Sequence, residues 1–191
     1  MKGLIFIKLE IRADGAHIVG YVNVPGKKSD PVHTRAHGMV IETIEPGTFQ
    51  RAIDRAHDIT LTVDHGERVY ASTEAGTLTL YEDSVGLHAD ALISDAELIQ
   101  KARVGKIVGW SFGFTAKKDA VTFDGGAYPL RRVSDIDLDH VTIVINKWPL
   151  YKATSWELRD GCSAEKSNML YRQRAEMAEY RRRLINVKWH E

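Results

Sequence analysis

The stretch Lys106-Ile107-Val108-Gly109-Trp110-Ser111-Phe112-Gly113-Phe114-Thr115-Ala116-Lys117 reads as one long β-strand. A strand's two-residue period puts Trp110, Phe112 and Phe114 on one face and Ser111 and Gly113 on the other. Three aromatics anchor the first face in a core. The second presents a hydroxyl between two glycines, where another backbone has room to approach. Two readings follow: a nucleophile that meets an extended peptide, or a core strand whose small residues fit under a neighbour. The same letters satisfy G-x-S-x-G, a motif that makes an exposed nucleophile only on a strand-turn-helix. Here Thr115 to Arg132 reads as a hairpin instead, with Asp124-Gly125-Gly126 as the turn between Val121 and Tyr128. The elbow is therefore rejected.

Working outward, most of the chain has the same β character. Leu4 to Ile11, His17 to Val24, Ile59 to Val63, Thr77 to Tyr81 and Val85 to Ile93 are rich in β-branched and aromatic residues, and Ile136 to Asn146 is a second long strand. The apolar run in the N-terminal MKGLIFIKLEIR is short and broken by Lys8 and Glu10, so it is read as a strand and not a signal peptide. Two helices interrupt the strands. After Pro46-Gly47, Phe49, Ala52, Ile53 and Ala56 share a helical face, with Thr48 as the expected N-cap. Ser94-Asp95-Ala96-Glu97 is a capping box, Leu98, Ile99 and Ala102 form a stripe behind it, and Gly105 sits where a C-cap belongs. The fold class is α+β and mainly β, a barrel or sandwich with helices outside it.

The pattern changes near Asp160. Residues 1–160 are expected to be one domain, and 161–191 a linker followed by a basic amphipathic helix. In that tail Leu170, Met177 and Leu184 recur every seven residues, with Tyr180 and Val187 at the other core position of the heptad. A short coiled-coil seam and a solvated tail are the two readings. The chain of 191 residues has 26 basic and 26 acidic side chains, so no global field draws it to nucleic acid or membrane. The segment from Lys166 to Glu191 nevertheless carries +4 and the remainder −4, which suits a docking element. A single cysteine, Cys162, permits no internal disulfide. No apolar stretch is long enough to span a membrane.

Two histidines stand at strand positions. His65 follows Ile59-Thr60-Leu61-Thr62-Val63-Asp64 on the parity of Ile59, Leu61 and Val63, and Gly66 then turns the chain. His140 follows Ile136 and Leu138 on their parity. Each is expected at the end of an apolar face, where a histidine is commonly a satisfied core residue. A serine nucleophile needs a base to take its proton, and the base needs a third group to fix its tautomer. One serine between glycines and two histidines can fill all three roles. His33 and His37 have the four-residue spacing of two metal ligands on a helix, but Pro31 and Gly38 leave little room for one, so exposed loop histidines are expected there.

Taken in order, several segments resemble the prohead proteases of tailed phages, which are similar in fold and mechanism to the herpesvirus assembly proteases. They are Glu42-Thr43-Ile44-Glu45-Pro46-Gly47-Thr48-Phe49, Val63-Asp64-His65, Leu78 to Leu98, Gly109 to Phe114, and His140-Val141-Thr142-Ile143-Val144. The resemblance spans roughly Val19 to Ala153 and rests on the ordered set, since each motif alone is weak. It implies a herpesvirus-protease-like β-barrel with surrounding helices, with Ser111 as nucleophile, His65 as general base and His140 as third member. Phage relatives often carry an acid at this last position, while the herpesvirus enzymes carry histidine. Asp139 and Asp64 rank below His140, because each is expected to point away from the site. The herpesvirus enzymes have an arginine-containing loop after the third member, and Asn146-Lys147-Trp148-Pro149 here departs from it, which leaves the oxyanion donors unassigned. The implied activity is a serine endopeptidase without cofactor or metal, acting in the host cytoplasm inside the procapsid. Its implied substrates are the major capsid protein, the scaffold segment and the protease itself. A homo-oligomer, a dimer, is expected; membrane and nucleic acid are not expected as partners. The competing reading is a catalytically inactive scaffolding or capsid-interaction protein of the same fold.

Overall fold

Alternating β-branched and aromatic segments, punctuated by glycine turns, give mainly β structure with two helices in the computed structural model, which describes residues 15–147, 149–151, 154 and 157–160. In chain order these are β1 (Ala16–Asn23), β2 (Val32–Thr34), β3 (Gly38–Ile44), α1 (Thr48–Arg55), β4 (Thr60–Val63), β5 (Ala71–Ser72), β6 (Leu78–Glu82), β7 (Leu87–Ile93), α2 (Ala96–Arg103), β8 (Gly109–Thr122), β9 (Leu130–Val144) and β10 (Glu157–Asp160). The expected α+β class holds. The expected strand at Leu4 to Ile11 and the C-terminal helix lie outside the described residues. No helix among the described residues is long and apolar enough to cross a membrane.

The strands make two sheets. One is ordered β10-β1-β7-β6. The other is built on β9, which pairs antiparallel with β8 along one edge and parallel with β3 and β4, in succession, along the other. β2 extends this sheet beyond β3, and β5 beyond β4. The closed barrel implied by the resemblance is not formed among the described residues. β9 is long enough to hold two parallel strands end to end, so the sheet grows outward from it and its outer strands do not pair with each other. Between the sheets lies one hydrophobic core. Ile18, Val22, Leu87, Ala89, Ala91 and Ile93 come from the β1–β7 side, and Leu61, Trp110, Phe112, Val141 and Ile143 from the β9 side. Phe49 of α1 is fully buried and meets Phe112 edge-on at 5.1 Å.

Both helix starts differ from expectation: the cap expected at Ser94 lies one residue later. Asp95 caps α2 by accepting from the Leu98 amide at 2.7 Å, and Gly105 closes it at φ +70°. Thr48, however, is the first helical residue of α1 and not its cap. Gly47 holds the cap position in left-handed backbone, and the Glu82 carboxylate reaches across from β6 to accept from the Gly47 and Gln50 amides at 2.6 and 3.0 Å. A carboxylate at a helix N-terminus meets both unpaired N–H groups and the positive end of the dipole, so no local side-chain cap is needed.

A buried polar chain ties β3, β8 and β9 to the segment that follows β9. Glu42 accepts from the Tyr151 hydroxyl at 2.8 Å and from Arg131 at 2.7 Å, and Arg131 also reaches Asp119 at 2.5 Å. Burial, and then the neighbouring Glu42 carboxylate, push the Tyr151 phenol far above its ordinary range, so it stays a neutral donor. Removing one member of such a set strands the others. Glu42→Ala should therefore cost about 3–5 kcal/mol of folding stability, measured by urea denaturation. A loss below about 1 kcal/mol would show that the chain contributes little.

Candidate active site

Three adjacent strands carry the candidate residues. Across β9, His140 lies opposite Thr60 of β4 and Gly113 of β8, and Thr142 lies opposite Thr62 and Ser111. Directly opposed residues point to the same face of a sheet. Thr60, Thr62, His140, Thr142, Ser111 and Gly113 thus share one face, while Leu61, Val141, Ile143, Trp110 and Phe112 fill the core behind it. The parity read for Ser111 and its aromatic neighbours is the one observed.

Both histidines depart from the faces expected for them. On β9, Phe114 pairs with Leu138 but Gly113 pairs with His140, so Asp139 is an extra residue on its strand. That bulge reverses the alternation. Ile136 and Leu138 are buried before it, Val141 and Ile143 after it, and His140 is turned out of the core toward Ser111. At the end of β4 the ladder stops at Val63, and both Asp64 and His65 take left-handed backbone, with φ 51° and 57°. Such a conformation costs a non-glycine residue roughly 1–2 kcal/mol. It takes the imidazole off the Leu61–Val63 face and returns it over Thr142, whose hydroxyl accepts from the His65 amide at 3.1 Å.

The three side chains meet in one line. His65 Nε2 is 3.1 Å from Ser111 Oγ, and His65 Nδ1 is 2.9 Å from His140 Nε2. The imidazoles are nearly perpendicular, at 79°. Partial burial lowers the pKa of His65, and the charges of His140 and Lys147 push it the same way against Asp64. Burial also lowers the pKa of His140, opposed by Asp139. Both rings are therefore neutral at neutral pH. Asp64 and Asp139 do point away, as expected. Asp139 is exposed at its bulge, and the Asp64 carboxylate faces the segment after β9. Burial pushes the Asp64 carboxyl up, but the hydrogen bonds it accepts from Ile145 and Asn146 outweigh that and leave it below its ordinary value. His33 lies on β2 and His37 in the turn to β3, where it contacts Asp119 at 3.3 Å, so the helical spacing of that pair is not realised.

The glycines flanking Ser111 serve the chain itself. A Cβ on Gly113 would stand 2.2 Å from His140 Cε1, and one on Gly109 would stand 2.6 Å from Thr154 Oγ1. Glycines beside a serine suggest room for an approaching peptide, but the room beside Gly113 is filled by the His140 ring. The sequence signal that could have revealed this is a glycine two residues from a serine within an otherwise aromatic strand, where some bulky group must lie opposite. Gly113→Ala should leave the core intact and displace His140 from His65. We expect hydrolysis to fall about 100-fold, as a misplacement near 1 Å would cause, with the circular dichroism spectrum unchanged. Unchanged activity would mean that the position of His140 does not matter.

A serine hydroxyl and two imidazoles are thus brought into one line of contacts on a β-rich scaffold. Comparison with curated proteins finds no match. Residues 7–169, which include Ser111, His65 and His140, match the family of the caudovirus prohead serine protease, and the chain belongs to that family.

Proposed function

We propose that this protein is the endopeptidase of phage procapsid maturation, with Ser111 as nucleophile, His65 as general base and His140 as the third member of the triad. The observation that carries this reading is the unbroken contact from Ser111 Oγ through the His65 ring to His140 Nε2. As His65 Nε2 accepts the Ser111 proton, its Nδ1 must carry the ring proton and donate it to His140. Ser111 Oγ then attacks the scissile carbonyl carbon. The proton moves to His65 Nε2 and from there to the leaving amine as the C–N bond breaks. Water repeats the sequence in reverse, giving up a proton to His65, attacking the acyl carbon and releasing the new carboxyl terminus as Ser111 regains its proton.

A neutral imidazole at position 140 stabilises the developing imidazolium less than a carboxylate would. The enzyme is accordingly slow, which a maturation event that happens once per particle tolerates. Its substrates are the major capsid protein, the scaffold segment and its own chain, cleaved within the procapsid. The basic segment 161–191 is a separate docking element for an acidic scaffold or a second copy, and the protease works as a dimer.

Two experiments test the reading. A fluorophosphonate should label the wild-type chain once, at Ser111, and Ser111→Ala should abolish both labelling and cleavage of the cognate capsid protein. An unlabelled wild-type chain that still assembles would favour an inactive scaffolding protein of the same fold. In addition, kcat/KM should be flat at neutral pH and fall on an acid limb whose midpoint lies below the ordinary histidine value of 6.5, because the pKa of His65 is depressed and only its neutral form accepts a proton. His140→Glu should move that limb to higher pH, since a carboxylate favours the imidazolium, and should preserve or raise the plateau. A limb that does not move would place His140 outside the charge environment of His65.

A further inference from the structure

Asp64 touches neither Ser111 nor His140, yet it holds the turn that presents His65. Its carboxylate accepts from the Ile145 amide at 2.8 Å, from the Asn146 amide at 3.1 Å and from Asn146 Nδ2 at 2.8 Å, while its backbone carbonyl accepts from Lys147 Nζ at 2.9 Å. Its own amide donates to the Ile143 carbonyl at 2.9 Å, and Gly66 N closes back onto the Val63 carbonyl at 2.9 Å. The left-handed pair of residues 64 and 65 is thus bound on every side to β9 and to the segment just beyond it. β9 carries His140, so the same clamp sets the spacing between the two imidazoles.

We infer that Asp64 is a positioning residue of the hydrolytic site, whose carboxylate, by clamping residues 145 and 146, fixes the left-handed turn that aims His65 at both Ser111 and His140. The inference rests on the triad reading above. Two properties of the residue serve it. Aspartate tolerates left-handed backbone better than most side chains, and its carboxylate has enough lone pairs for three donors at once. Without the clamp, residues 64 and 65 relax toward ordinary backbone. The imidazole then leaves the face it shares with Ser111.

Asp64→Gly, Asp64→Asn and Asp64→Ala in the full chain separate these properties. Glycine accepts the left-handed turn and lacks only the acceptor. Asparagine keeps the tolerance and one acceptor oxygen. We expect kcat to fall about 100-fold in Asp64→Gly and in Asp64→Ala with KM nearly unchanged, and Asp64→Asn to recover most of the loss. A second readout needs no turnover. In ¹⁵N-edited imidazole spectra wild-type His65 should show one tautomer, protonated on Nδ1, and Asp64→Gly should show a mixture. Asp64→Gly with wild-type kcat and a single tautomer would overturn the inference, even if Asp64→Ala failed to fold. A rate loss shared by kcat and the folded fraction, with the tautomer unchanged in the folded molecules, would also overturn it by showing a merely structural role. If the wild-type chain itself resisted fluorophosphonate, the triad reading would fail, and the tautomer comparison would still decide whether Asp64 orients His65.

Discussion

β9 is hydrogen-bonded on both edges, and its register is therefore set twice. Thr142 lies opposite Thr62 of β4 and Ser111 of β8 in the same row. A slip of one residue on either edge would turn every side chain of the slipped strand to the other face, burying Ser111 or exposing Trp110. Neither can happen cheaply, because Trp110, Leu61, Val141 and Ile143 are all essentially inaccessible to water. The hydrophobic effect behind the sheet thus holds the spacing of the polar groups in front of it. Side chains from two strands and the turn after a third are brought within hydrogen-bond distance by the apolar layer behind them.

Local irregularities do the rest. Regular strands would leave both histidines in the core. One extra residue at Asp139 and two left-handed residues at the end of β4 bring them to the serine's side. Each deviation has a visible compensation. The bulge leaves Asp139 in solvent, and the strained turn is offset by hydrogen bonds to the Asp64 carboxylate and from the His65 amide to Thr142. Strain at such a place is tolerable because the sheet beneath it is rigid.

Much of this was legible beforehand. The alternation of aromatics around Ser111, the glycine hairpin at Asp124-Gly125-Gly126, the existence of the second helix with its Leu98 and Ala102 stripe and the three candidate side chains all follow from residue types at fixed spacing. What escaped was whatever depends on partners distant in sequence. The carboxylate that caps α1 comes from Glu82, well over thirty residues away, so nothing near Thr48 announces it. The short strands β2 and β5, and β3 with its unbroken Met39-Val40-Ile41 run, carry too little alternation to stand out. The bulge at Asp139 has no signature, because Leu138-Asp139-His140 is equally good as straight strand. The turn at Asp64-His65 did leave a trace. Aspartate and histidine are among the few side chains that accept left-handed backbone, and here a glycine follows them.

The missing Cβ at Gly113 makes two positions on different strands compete for one volume. Where an imidazole stands at position 140, position 113 has to remain glycine, because the ring occupies the space that any larger residue would need. Where a shorter carboxylate stands instead, that space is vacated and alanine or serine becomes admissible. The identity of residue 140 is therefore written twice in the chain, once as a ring and once as its steric shadow. A chain with an acid at the first position would be free to change at the second, and one with histidine would not.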